Sequence, residues 1–229
     1  PRMLAANRIP LDAPDPASSN GEALAWKRII APAEPFLDLV AQLLAQQISE
    51  FERDIASYAE YALTNQGKQL RPALVAMSGG ATGTLTDSHA LAAVIVEMVH
   101  LATLVHDDVL DGATVRRHVD TVNANWGVPA AILLGDHLFT RAFHLAATVD
   151  ARACRLIGEA TNRVCEGELR QGLERGNLAL SEQDYYEIIE GKTAELIACY
   201  RALDGPRPPL TWAGMNGDWR TRRALSGDN

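Results

Sequence analysis

"HALAAVIVEMVHLATLVHDDVLD", residues 89–111, decides the fold. Wound at 3.6 residues per turn, its apolar side chains point in nearly every direction, so the stretch is expected to be a buried central helix. Gly112 is placed to end it. The last turn becomes acidic, with Asp107, Asp108 and Asp111 inside five positions. Positions four apart share a helix face, so Asp107 and Asp111 point the same way, and Asp108 lies about 100° around from Asp107. His100 sits two turns earlier on roughly the same face, with Thr103 and Leu104 between. Just past the helix, Arg116 and Arg117 reverse the sign. Carboxylates this close repel one another unless a cation stands between them. Hard oxygen ligands suit Mg²⁺, which is usually shared with phosphates, and arginines clasp phosphate oxygens by charge-assisted hydrogen bonds. The stretch reads as a site for a metal-bound diphosphate. The plainer alternative, a solvated helix end, puts three aspartates at the wrong pole of the helix dipole.

Outward from this helix the pattern stays helical from Ala33 to about residue 200. Phe36, Leu39, Val40, Leu43, Leu44, Ile48, Phe51 and Ile55 follow the spacing of one long amphipathic helix. The chain then breaks at Gly67 and restarts at Pro72, and "GGATGTLTDS" (79–88) reads as a turn-rich connector with Thr86, Asp87 and Ser88 as N-cap candidates. "GVPAAILLGDHLFTRAFHLAATV" (127–149) and "ARACRLIGEATNRVCEGELRQGLE" (151–174) are two further long helices. "SEQDYYEIIEGKTAELIACY" (181–200) opens on a capping pattern from Ser181 to Asp184. No alternating strand pattern recurs, which makes the chain all-α: a bundle of long antiparallel helices around a central cavity. Three segments are expected: a loosely ordered leader at 1–32, a helical domain at 33–200, and an irregular tail at 201–229 holding three prolines, four glycines and two tryptophans. Of 229 residues 47% are apolar and 22% charged, as in an ordinary globular protein. A net charge of -8 argues against nucleic acid as a partner. No apolar run reads as a transmembrane segment, and three cysteines without metal-ligand spacing point to reduced thiols and a cytoplasmic location.

The sequence resembles the trans-type isoprenyl diphosphate synthases, in particular the long-chain polyprenyl diphosphate synthases of bacteria. "GKQLRP" (67–72), "EMVHLATLVHDDVLDGATVRR" (97–117), "GDHLFTRAF" (135–143), "CEGELRQ" (165–171) and "EGKTAELIA" (190–198) carry the likeness in family order. It implies an enzyme that condenses isopentenyl diphosphate with an allylic prenyl diphosphate, using Mg²⁺. Carried over position by position, Lys68, Arg71, His100 and Arg117 match the contacts to isopentenyl diphosphate. Asp107 and Asp111 match the metal ligands, with Asp108 beside them. Arg116 matches the allylic diphosphate contact, and Lys192 and Thr193 a further allylic-side pair. Asp136, Glu168 and Gln171 line the same cavity in the family. Ala102 and Thr103, the fifth and fourth residues before Asp107, match positions where aromatic side chains give short products; their small size implies a product beyond C20.

The resemblance stops after Cys199. The family's second aspartate-rich motif and last helices are absent from this sequence, so the chain is expected to be C-terminally truncated or frameshifted and weakly active or inactive alone. The family is usually homodimeric; the alternative to an enzyme is a non-catalytic partner subunit that joins a full-length synthase and adjusts its product.

Overall fold

The computed structural model describes residues 28–64, 69–83 and 85–203. After a short helical entry at 28–33, the elements are α1 (Glu34–Ser49), α2 (Arg53–Thr64), α3 (Leu70–Thr82), α4 (Asp87–Leu110), a two-residue ribbon of β1 (Val115–Arg116) and β2 (Val119–Asp120), α5 (Val122–Trp126), α6 (Val128–Val149), α7 (Ala151–Leu173), α8 (Glu182–Ile189), a π-helical turn at Glu190–Ala194, and α9 (Glu195–Leu203). The all-α class is as expected. Of the proposed leader, only 28–32 fall among the described residues, and they are helical or 3₁₀. Almost all of the proposed tail lies outside the described residues.

The central helix is α4. Its N-terminus is closed reciprocally: Thr86 caps the His89 amide, and His89 Nδ1 accepts from the Thr86 amide at 3.1 Å. Its C-terminus ends at Asp111 and turns through Gly112 at φ +62°, a left-handed conformation that glycine reaches without strain. Between these ends, Val94, Ile95, Val96, Met98 and Val99 are wholly buried, and α6, α1, α3, α9 and the short α5 pack around them. In length and hydropathy α4 alone among the described helices qualifies as a membrane span, although the sequence reading found no such run; its burial inside the bundle marks it as a core helix.

Three local expectations are corrected. The long amphipathic helix is two helices: after α1 the Ser49 hydroxyl donates back to the Gln46 carbonyl at 2.7 Å, and the chain bends at residues 50–52. Phe51 at the bend is buried and meets the His137 ring edge-on at 4.3 Å. Gly79 and Gly80 belong to α3 rather than to a connector, and α3 starts at Leu70, two residues before Pro72. Gly79 is needed there because a side chain would run into the His89 ring, 2.6 Å from where its Cβ would stand.

A β-ribbon also appears where no strand was expected. Arg116 pairs with Val119, and the two linking residues, Arg117 and His118, both have positive φ, 51° and 68°. This is the geometry of a two-residue hairpin turn, here without the glycine or asparagine that usually occupies it. Tyr61 of α2 holds the ribbon by donating to the Asp120 carbonyl at 2.9 Å, and its ring packs edge-on against Trp126 at 4.9 Å.

Candidate active site

The C-terminal half of α4 buries Leu101, Ala102, Val105 and Asp108 on one side and leaves another side partly open. On that side a polar stripe runs at helical spacing through Glu97, His100, Thr103 and Asp107, all half-buried, to the exposed Asp111. Arg71 of α3 and Arg116 and Arg117 of the ribbon all lie close enough to His100 to act on its charge. Burial first, then Arg71, Arg117 and Arg116, push the His100 pKa down to about 3, so its ring is neutral. Burial pushes the Glu97 carboxyl up to about 7 against the pull of Arg71. The Arg71 Nε is buried and finds no acceptor among the described residues. An arginine next to a neutral ring with an unsatisfied donor is what an anion pocket needs. Lys68, expected in the same cluster, lies outside the described residues.

At the mouth of the stripe the three aspartates have different surroundings. Asp108 is buried, and Arg116 Nε donates to its Oδ1 at 2.7 Å. The ribbon delivers that arginine. Ala113 is fixed to the end of α4 through its amide to the Asp108 carbonyl at 2.9 Å, and Thr121 and Asn123 both donate to the Ala113 carbonyl. Asp111 accepts from Arg175 at 2.8 Å. Asp107 makes no ion pair among the described residues. Burial pushes its pKa up to about 6, the nearby Glu168 and Asp111 carboxylates add to that, and Lys192 and Arg116 oppose it. A carboxylate crowded by two others would be relieved by a cation, and carboxylates are the hard donors Mg²⁺ takes. Among the described residues no three metal-ligating side chains are gathered tightly enough to hold an ion on their own. Two carboxylates with phosphate oxygens and water completing the shell is a usual magnesium arrangement, so the donor set fits that ion.

Across the mouth, the π turn presents Lys192, whose Nζ lies 2.7 and 2.9 Å from the two carboxylate oxygens of Glu168 on α7. A π turn inside a helix is rare and is frequently found at functional sites. It comes this close because Gly167 and Gly191 face each other: a Cβ on Gly167 would lie 2.5 Å from the Lys192 backbone nitrogen. Thr193 is exposed on the same turn, and Gln171 is half-buried one turn beyond Glu168.

The remaining expected positions are further from the charged mouth. Asp136 is exposed, with its carboxylate 3.6 Å from His106 Nε2, which also bonds the Ile132 carbonyl at 3.1 Å. The His106 ring occupies the space where a side chain at 135 would stand, 2.2 Å from the Cβ position, which gives Gly135 of "GDHLF" a packing role. Ala102 is wholly buried in the core; Thr103 is half-buried and its hydroxyl donates to the His100 carbonyl at 2.8 Å. Sequence reasoning missed Glu97, Gly135, Gly167 and Arg175. Glu97 left a signal, being a charged residue in the apolar middle of α4, three positions before His100; Arg175 left none.

A family model described as polyprenyl synthetase matches residues 52–204, about two thirds of the chain. A prenyl transferase of Cyanophora paradoxa is 36% identical over 174 residues, 74% of this chain and 54% of its own length. The octaprenyl diphosphate synthase of Escherichia coli is 32% identical over 163 residues, 71% of this chain and 50% of its own. The crystal structure of a polyprenyl synthase from Caulobacter crescentus, complexed with calcium and isoprenyl diphosphate, superimposes with a TM-score of 0.73 at 34% identity. It covers 78% of this chain and 55% of that one. The chain spans about half the length of the curated relatives it matches.

Proposed function

Since the chain belongs to the polyprenyl synthetase family, we propose that it serves the condensation of isopentenyl diphosphate with an allylic prenyl diphosphate into a long-chain polyprenyl diphosphate. The observation that supports this most is the polar stripe on the mostly buried central helix, with Arg71, Arg116, Arg117 and Lys192 near it.

In this reading Lys68, Arg71, neutral His100 and Arg117 hold the diphosphate of isopentenyl diphosphate. Asp107 and Asp111, with Asp108 beside them, would hold magnesium, and the metal would draw in the allylic diphosphate. Magnesium, when bound, would offset the negative charge that builds on the departing diphosphate. Arg116, Lys192 and Thr193 reach the same group from the ribbon and the π turn, and their donors are fixed before the reaction begins. The allylic C–O bond breaks, and the double bond of isopentenyl diphosphate attacks the allylic cation. A proton then leaves to the released diphosphate. The apolar body of the bundle keeps water from the cation. Asp136, Glu168 and Gln171 line the approach.

The polyprenyl chain would extend along α4 away from Asp107, past Thr103. The expected result is that Thr103→Phe, alone and with Ala102→Phe, shortens the product. Ala102 is wholly buried, so Phe there also overpacks the core by about 1–3 kcal/mol, and Thr103→Phe is the cleaner variant. The test is incubation with Mg²⁺, isopentenyl diphosphate and an allylic primer, followed by dephosphorylation and chromatography. The same segment grafted into the E. coli octaprenyl diphosphate synthase is assayed alongside. Magnesium-dependent product that Asp107→Asn abolishes supports the reading; no product from chain and graft alike rejects it. A homodimer, or a heteromer with a full-length synthase, in the cytoplasm belongs to the same proposal. The intact acidic motif makes a purely non-catalytic partner the weaker alternative.

A further inference from the structure

At the end of α7 the chain turns through Gly176, whose φ is +85°. The Glu174 amide bonds the Arg170 and Gly172 carbonyls, and Asn177 ties the turn by donating to Glu174 at 2.6 Å while accepting from the Ala179 amide at 2.9 Å. This turn holds Arg175 over the mouth, where its Nη2 donates to Asp111 Oδ1 at 2.8 Å. Both side chains are well exposed, 68% for Arg175 and 48% for Asp111, and an ion pair so open to water is weak enough to exchange partners. The other acidic groups at the mouth are differently held: Asp108 is buried with Arg116, and Glu168 is straddled by Lys192.

We propose that Arg175 is the exchangeable counter-ion of Asp111: it gives the carboxylate up to the metal and becomes an additional contact to the substrate's diphosphate. This rests on the diphosphate reading of the site. A metal ion held by Asp111 would bring diphosphate oxygens close beside its carboxylate oxygen. A guanidinium already bonded to that oxygen needs only a small swing to reach them. The two partners of Arg175 therefore act in opposite directions. It competes with the metal when metal is alone, and it assists once a diphosphate arrives.

The test uses Mn²⁺ followed by electron paramagnetic resonance, without and with inorganic pyrophosphate, on the wild-type chain, Arg175→Gln and Asp107→Asn. Arg175→Gln is expected to bind Mn²⁺ alone about two- to five-fold more tightly. It should bind pyrophosphate, at saturating Mn²⁺, about five- to ten-fold more weakly. The opposed signs are the signature, because a residue that only packed the turn would shift both in one direction or neither. Mn²⁺ affinity unchanged or lowered in Arg175→Gln, or pyrophosphate affinity unchanged, overturns the proposal even if Asp107→Asn loses Mn²⁺. Asp107→Asn binding Mn²⁺ as wild type does sinks the diphosphate reading itself, and the role of Arg175 with it.

Discussion

Gly167→Ala is expected to lower the melting temperature by about 4–12 °C and to pull Lys192 away from Glu168. The added methyl would stand 2.5 Å from the Lys192 nitrogen, 3.0 Å from the Gly191 carbonyl carbon and 3.1 Å from the Lys192 Cα, all backbone atoms. A flexible side chain could rotate aside, but a π turn clamped between α8 and α9 cannot. Gly191 on the facing side is itself 3.1 Å from the Arg163 carbonyl oxygen, measured from its Cβ position, so the turn has no slack in that direction. Overpacking of this kind costs about 2–3 kcal/mol, and each kcal/mol shifts a domain of this size by about 2–4 °C. Glu168 is the next residue in the chain, so the same displacement separates the pair that positions Lys192. Calorimetry checks the first effect. The second is read as a loss of pyrophosphate affinity larger than that of Gly172→Ala, a glycine on the same helix with open space beside it. Equal behaviour of the two variants would mean that the close approach of α7 to the π turn is not needed.

Arg116→Ala is the second large effect. It leaves the Asp108 carboxylate, whose side chain is only 9% exposed, without the cation 2.7 Å away. Removing one partner of a fully buried pair costs about 3–5 kcal/mol, chiefly because the remaining charge has lost its solvation. Here 31% of the arginine side chain still meets water, so a loss of about 2–4 kcal/mol is expected, read as a lower urea midpoint with unchanged slope. The double variant Arg116→Ala/Asp108→Asn should regain most of that stability, because the stranded charge is gone, while pyrophosphate binding stays weak for want of the arginine. If the double variant is as unstable as the sum of the two singles, the pair is not coupled and the assignment of Asp108 as the anchor of Arg116 is wrong.

Much of this molecule is legible in the sequence because one physical signal, helical periodicity, governs it. A largely apolar helix that carries Glu97, His100, Thr103, Asp107 and Asp111 at steps of three and four residues has a polar face, and the spacing names it. The helix ends at Gly112, Thr86 and Ser181 follow from local chemistry for the same reason. What stayed hidden depends on distant neighbours. Gly135 and Gly167 are required by the His106 ring and the Lys192 backbone, which no local pattern relates to them. The bend at residues 50–52 preserves the apolar spacing on both sides, so the periodicity runs across it. The ribbon at 115–120 carries Arg117 and His118 where a glycine would announce a turn, and such strained backbone often accompanies function. Arg175 is placed by the turn that follows α7, and its partner Asp111 is far away in the chain.

The central claim is that Asp107 and Asp111 grip a divalent cation that in turn grips a diphosphate. Crystals of the chain grown with Mn²⁺ and inorganic pyrophosphate test it through the anomalous signal of the metal. The account predicts a peak bonded to carboxylate oxygens of Asp107 and Asp111 and shared with pyrophosphate. Ordered pyrophosphate with no metal on either aspartate, or manganese bound only elsewhere on the chain, would contradict it.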